Sequence, residues 1–186
     1  MVTAIYHLTC LISYYMSIEI IPATPADIPA LVKLVNSAYR GEGSKAGWTT
    51  EADLLDGIRT DEEDLAGLLG KEENTILKAT ENDGIIGCVY LQKKDTAMYL
   101  GMLTVNPQLQ AKGIGRQLMT AAEGYARRQQ CTSMEMTVIT VRHELIAWYN
   151  KHGYHATGAT KPFPTGVKIG VPKQPIEFMV MSKRLV

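Results

Sequence analysis

The chain of 186 residues is 46% hydrophobic and 20% charged, a profile that fits one globular domain with a proper core and excludes a disordered chain. Nineteen basic and nineteen acidic side chains cancel, so the overall balance favours neither nucleic acid nor an anionic membrane, and neither is expected as a partner. Three scattered cysteines, Cys10, Cys88 and Cys131, lack metal-ligand spacing. They read as thiols of a reducing compartment, taken here as the cytoplasm, with no metal site expected.

Met1 to Tyr15 is an apolar run without Lys or Arg. It is too short to span a bilayer and lacks the basic flank of a secretory signal. Residues 1–16 are therefore set apart as a leader of open role, with 17–186 as the domain. Ser17 to Ile21 reads as a strand. Thr24-Pro25-Ala26-Asp27 then supplies a cap, a proline at the first helical position and an acid at the third. Ile28, Leu31, Leu34, Val35 and Ala38 follow at helical spacing. Arg40 to Gly47 is polar and glycine-rich, hence a loop; Thr50-Glu51-Ala52-Asp53 opens an expected second helix, and Asp61 to Leu69 a third.

The period then changes. Thr75 to Thr80 and Ile85 to Gln92 are strand-like runs joined through Asn82-Asp83-Gly84, a hairpin signal. Met98 to Val105 is apolar at nearly every position, as a central strand covered on both faces would be, and Pro107 closes it. A helix is expected from the glycine turn at 113–115 to Arg128, a strand over Met134–Thr140, and a short helix over His143–His152 stopped by Gly153. Tyr154–Gly158 and Ile176–Met181 are the last strands, separated by a proline-rich irregular segment, Thr160 to Pro175. The stretch Phe163 to Pro175 is of a kind that covers a ligand.

The densest chemical signal is Gln110-Ala111-Lys112-Gly113-Ile114-Gly115-Arg116, opening a helix directly after the central strand. Two glycines in a first helical turn cost roughly 1 kcal/mol each relative to alanine, a cost that fits either tight strand-to-helix packing or a close backbone approach by a guest. A helix N-terminus offers unpaired N–H groups and a partial positive charge, so that guest is anionic, a phosphate or pyrophosphate.

Strand plus Pro107, then Gln110-x-x-Gly-x-Gly, then a strand followed by Ala147-Trp148-Tyr149-Asn150-Lys151-His152-Gly153-Tyr154, occur in one order. That order and spacing resemble the GNAT superfamily of acyl-CoA-dependent N-acyltransferases, over Ser17 to Val186. The resemblance implies a single α/β domain with a mixed, mostly antiparallel central sheet flanked by helices. It implies that Gln110 and the amides of Ala111, Lys112, Gly113, Ile114, Gly115 and Arg116 hold the pyrophosphate of acetyl-CoA. Leu103, Thr104 and Val105 would pair with the pantetheine arm through their main chain.

By the same resemblance, Tyr149 protonates the departing thiolate, a transfer uphill by about 1.5 pKa units or roughly 2 kcal/mol. Arg142 stands where many relatives carry an asparagine against the coenzyme arm, and an arginine there would reach a phosphate or the pantetheine. The acceptor side is expected at Tyr39, Trp48, Thr49 and Glu51, with Trp48 and Glu51 suited to a cationic amine. Several relatives use a glutamate on the central strand as general base, but Met98 to Val105 contains no carboxylate or histidine. Glu51, His143, His155 and Glu177 are candidates, with a water-mediated route as the default.

The expected activity is acetyl transfer from acetyl-CoA to a primary amine of a small molecule or peptide, by direct attack in a ternary complex. The alternative is an acyl-CoA-binding sensor or dimerisation module without turnover. A homodimer is compatible with the sequence and specified by no pattern in it.

Overall fold

The computed structural model describes residues 18–47, 49–164 and 170–185, so the leader, Cys10, Ser17 and Trp48 lie outside the described residues. The sheet grows from the hairpin β3 (Asn74–Glu81) and β4 (Gly84–Lys94). Its loop residues Asn82 and Asp83 are both left-handed, at φ 49° and 62°. Two such residues give a turn whose twist matches the strands it joins, and Asn and Asp adopt that conformation most readily after glycine. β1 (Glu19–Pro22) pairs with the outer side of β3, and β5 (Ala97–Val105) with β4.

Beyond β5 lie β6 (Ser133–Ile139), β9 (Glu177–Arg184) and the edge strand β7 (His155–Pro162). Every neighbouring pair in this seven-stranded sheet is antiparallel except β5 and β6. A parallel pair needs a long crossover, and α4 (Ile114–Arg128) provides it.

Helices cover both faces. Leu31, Leu34 and Val35 of α1 (Ile28–Tyr39) and Leu65 of α3 (Glu62–Leu69) pack with Ile76, Cys88 and Met102. Leu118, Met119 and Ala122 of α4 pack on the opposite face with Leu77, Val89 and Leu91, joined by Tyr149 of α5 (His143–Lys151). Cys88 and Val89 thus face opposite layers, as alternation along a strand dictates. The result is one mixed α/β domain with a mostly antiparallel sheet between two helical layers. Cys88 and Cys131 are buried free thiols. Among the described residues, no helix is long and apolar enough to cross a membrane.

Three expectations need correction. The helix expected from Thr50 does not form. Leu54 N and Leu55 N both donate to Glu51 O at 2.9 Å in a single turn, after which Leu55–Asp56 forms β2 against β8 (Val171–Pro172). Leu55, 3% exposed, packs with Ile139, Phe163 and Ile176, and Gly57 at φ 87° turns the chain away from a helical path. Long-range burial overrides the local pattern there. The expected loop at Arg40–Gly47 contains a helical turn, α2 (Gly41–Ser44). The segment Thr160–Pro175 is less irregular than expected, because β7 continues to Pro162 on β9 and β8 pairs with β2; residues 165–169 lie outside the described residues.

Candidate active site

β5 and β6 hydrogen-bond as neighbours only from Ala97↔Ser133 to Tyr99↔Glu135, then diverge. The divergence coincides with a register shift on the other side of β5, between Cys88 and Tyr90 of β4, and with Met102 at φ 50°. A left-handed non-glycine residue inside a strand costs on the order of 1–3 kcal/mol. Burial of the Met102 side chain under α1 holds it in place. Beyond this bulge Leu103 turns its carbonyl to the Tyr39 hydroxyl, which donates to it at 2.8 Å. Two cavities open on either side of this point.

The first is a groove of about 660 Å³ along the end of β5 and the start of α4. Ala111 at φ 65° and Gly113 at φ 80° curl the chain into the helix, and the N-cap Gly113 has no side chain to cap it. The first intrahelical bond runs from Gln117 N to Gly113 O, leaving the preceding amides ahead of the ladder. The two glycines serve different ends. A Cβ on Gly113 would meet nothing within 4 Å, so glycine is needed there for its backbone conformation. Gly115 lies in the groove wall, where a Cβ would make ordinary contact with Val105 at 3.7 Å and Trp148 at 3.8 Å.

Leu103, Val105, Gln110, Ala111, Ile114 and Arg116 line the same groove. Two expected coenzyme contacts, Lys112 and Arg142, lie outside this groove, while Thr104 offers only the main chain expected of it. Thr104 is fully buried with Oγ1 donating to Met102 O at 3.0 Å, so only its main chain is on offer. Lys112 is exposed and outside the lining. Arg142 lines the second cavity, its guanidinium donating to Thr50 O at 2.9 Å and to Glu144 Oε1 at 2.6 Å. Gln110 reaches across instead of outward: its Nε2 donates to Thr49 Oγ1 at 3.0 Å and to Val105 O at 3.3 Å. An uncapped helix end beside a strand end left open on its β6 side fits a long, anionic guest with amide-like groups.

The second cavity, about 270 Å³, lies between the diverging β5 and β6. It shares Tyr39, Leu103, Leu145 and Tyr149 with the groove, so the two meet at these four residues. Tyr149 is 7% exposed, and its hydroxyl makes no hydrogen bond among the described residues. Burial pushes its pKa far above the ordinary tyrosine value, so the phenol keeps its proton. Burial raises Tyr39 in the same sense.

Of the four candidate bases, Glu51 alone reaches a cavity; His143, His155 and Glu177 are exposed and line neither. Glu51 Oε2 lies 2.7 Å from Arg40 Nη1, a nearly buried pair. Thr49 lines the groove, Tyr39 lines both cavities, and Trp48 is outside the described residues. Phe163, the start of the stretch expected to cover a ligand, does line the second cavity; sequence reasoning missed Arg59, Leu145 and Phe178, which stacks on Phe163 with centroids 5.4 Å apart. No local pattern singles them out, because strand divergence and the β2–β8 pairing bring them together.

The family model for the acetyltransferase (GNAT) family matches residues 30–154. No curated protein matches the chain. Solved structures do. The ribosomal-protein-S18-alanine N-acetyltransferase of Escherichia coli is 15% identical with a TM-score of 0.68, over 91% of this chain and 94% of that one. The PaiA N-acetyltransferase of Thermoplasma acidophilum, solved with coenzyme A, is 19% identical with a TM-score of 0.64, over 91% and 99%. YncA of Salmonella typhimurium, solved with acetyl-CoA, is 22% identical with a TM-score of 0.65, over 91% and 95%. At these identities the likeness carries the fold.

Proposed function

Since the chain belongs to the acetyltransferase (GNAT) family, we propose that it moves an acetyl group from acetyl-CoA to a primary amine of a small molecule or peptide, by direct attack in a ternary complex. The observation that carries this reading is that a groove suited to the donor and a separate cavity suited to the acceptor share Tyr149 in their walls. A binding module without turnover has no use for a second cavity that opens onto the first.

In this reading the pyrophosphate sits on the amides from Ala111 to Arg116, each charge-assisted bond worth about 1.5–3 kcal/mol. The pantetheine arm runs along Leu103 to Val105, where β5 has parted from β6. The thioester carbonyl then lies at the junction. The acceptor amine sheds a proton through water toward Glu51, the sole carboxylate lining the second cavity among the described residues. The amine nitrogen forms the new C–N bond, the C–S bond breaks, and the Tyr149 hydroxyl gives its proton to the departing sulfur.

Burial raises the tyrosine pKa, which on its own widens the gap to the thiol. It disfavours the thiolate in the same apolar junction as well, so both partners in the transfer move together. The nearby positive charge of Arg142 favours the phenolate in the opposite sense. Tyr149 therefore arrives protonated and meets a thiolate that is itself destabilised.

Calorimetric titration with acetyl-CoA, coenzyme A and NAD, followed by thiol release over an amine panel, tests the proposal. Saturable binding of the coenzyme A species and not of NAD, with amine-dependent thiol release, is expected. Binding without release for any amine would reduce the protein to an acyl-CoA sensor. No binding would remove the enzyme reading altogether.

A further inference from the structure

The charged groups around the acceptor cavity are unevenly matched. Three guanidinium groups, Arg40, Arg59 and Arg142, line it against one carboxylate, Glu51. Glu51 is engaged by Arg40 at 2.7 Å. Arg142 is engaged by Glu144 at 2.6 Å, and that carboxylate, 57% exposed, lies outside the cavity lining. Arg59 has no carboxylate within ion-pair distance among the described residues, although Asp64 shares an adjoining shallow pocket with it.

Arg59 is nevertheless held in place. Asn36 in the middle of α1 clamps the backbone on both sides of it, accepting from Arg59 N at 2.7 Å and donating to Thr60 O at 2.8 Å. The guanidinium stacks over the Tyr39 ring, 5.5 Å from its centroid, and the hydroxyl of that ring reaches Leu103 O at the junction. The Tyr39 ring thus lies between a cation without a carboxylate partner and the junction carbonyl. The far wall is apolar, built from Leu55, Ile139 and the stacked Phe163 and Phe178.

We propose that the acceptor is a small amino acid-like amine, with a carboxylate held by Arg59, its amine at the Tyr149 junction and an apolar body on the Phe163–Phe178 wall. This rests on the acyltransfer reading above and narrows its substrate. A guanidinium is the natural partner of a carboxylate, which it grips through two parallel N–H bonds. A purely cationic amine would find the cavity's carboxylate already taken and the field against it. The same excess of positive charge favours the uncharged form of the bound amine, the form that attacks. It eases the demand on a general base in a site whose central strand has none. The cavity, at about 270 Å³, sits near the lower limit for ligand sites, which suits a single amino acid better than an extended chain.

The test uses matched sets: L-phenylalanine, L-phenylalaninamide and phenethylamine, then L-methionine, L-methioninamide and 3-(methylthio)propylamine. Each is titrated calorimetrically into the coenzyme A-loaded protein and then assayed for acetyl transfer. The free acids are expected to bind and to exceed their amides and decarboxylated amines by about tenfold or more in kcat/KM, since a site built for a polar group rejects analogues lacking it. In Arg59→Gln the acid-to-amide ratio should collapse to within about threefold, chiefly through KM, while acetyl-CoA affinity reports the intact donor groove. Acids that neither bind nor react overturn the proposal, as do amides or amines that match them, or a ratio that survives in Arg59→Gln. A protein that acetylates the amides or amines better keeps the acyltransfer reading and loses this one. A protein that binds no acetyl-CoA loses both.

Discussion

The donor groove and the acceptor cavity touch the same tyrosine, yet they are built in opposite ways. The groove is made largely of backbone: the end of β5, a turn with two left-handed residues, and the uncapped start of α4, all within residues 103–116. The cavity is made of side chains from segments far apart in the chain: Arg40, Glu51, Arg59, Met136, Tyr149, Phe163 and Phe178. A backbone site recognises what every donor shares, a pyrophosphate and an amide-bearing arm, and tolerates change in its side chains. A side-chain site recognises what distinguishes one acceptor from another. In the proposed reaction, that division would put the invariant half on main-chain geometry and the specific half on side chains that can be exchanged without disturbing it.

Tyr149→Phe probes the boundary and should have the largest effect. Removing a general acid lowers kcat by roughly 10²–10⁴-fold, while the calorimetric affinity for acetyl-CoA should stay within about twofold. Turnover equal to wild type would reduce Tyr149 to a packing residue. A pH profile sharpens the same point. The phenol works protonated, and burial lifts its pKa well above the ordinary value of about 10, so kcat should not fall with rising pH below that point. An alkaline fall near pH 8–9 would assign the acid to another group.

Gly115→Glu breaks the donor half alone. The Cβ is accommodated in ordinary contact, so the fold should persist with an unchanged melting temperature, but a carboxylate then points into the groove. Acetyl-CoA affinity should fall by roughly 100-fold, the equivalent of losing one strong charge-assisted bond of about 3 kcal/mol. Undiminished affinity would mean that the pyrophosphate lies elsewhere.

The same contrast explains what is legible in the sequence. The hairpin at Asn82-Asp83, the crossover helix to Arg128, the short helix ending at Leu69 and the stop at Gly153 follow from turn chemistry and periodicity within a few residues. The glycine turn is legible for the same reason, since its function depends on local backbone conformation. A motif names positions and so takes in Thr104 and Lys112 with their neighbours, whereas one side chain turns into the core and the other into solvent. Arg59 and Phe178 carry no local signal. What makes them neighbours is the parting of β5 from β6, which coincides with a bulge at Met102 that no propensity marks. The failed helix after Thr50 belongs here too, because Leu55 answers to Ile139 and Phe163 in place of its own neighbours.

Arg40→Met tests the acceptor half for stability as well as for charge. It leaves Glu51, 15% exposed, without the guanidinium 2.7 Å away. Stranding one partner of a fully buried pair costs about 3–5 kcal/mol, and the residual exposure of Glu51 brings the expected loss to about 2–3 kcal/mol. For a chain of this size that lowers the melting temperature by roughly 4–12 °C. Acetyl-CoA affinity should change little, because Arg40 does not line the groove. A large loss of coenzyme affinity would mean that the two halves are coupled and not separate.

Gln110→Ala measures that coupling directly and should have the smallest effect. The Gln110 side chain is the hydrogen-bonded strut between the glycine turn and the acceptor loop, through Thr49 Oγ1, and Gly47 packs so closely on it that a Cβ there would come within 2.8 Å. Truncation removes one or two neutral hydrogen bonds, about 1 kcal/mol of stability. If the strut serves only the turn, KM for acetyl-CoA should rise a few-fold, roughly the worth of one such bond, with the acceptor KM unchanged. If it also sets the position of the loop carrying Thr49 and Glu51, both KM values should rise together. The double variant Gln110→Ala with Thr49→Val would then be no worse than Gln110→Ala alone, since the Thr49 hydroxyl acts on the strut through that one contact.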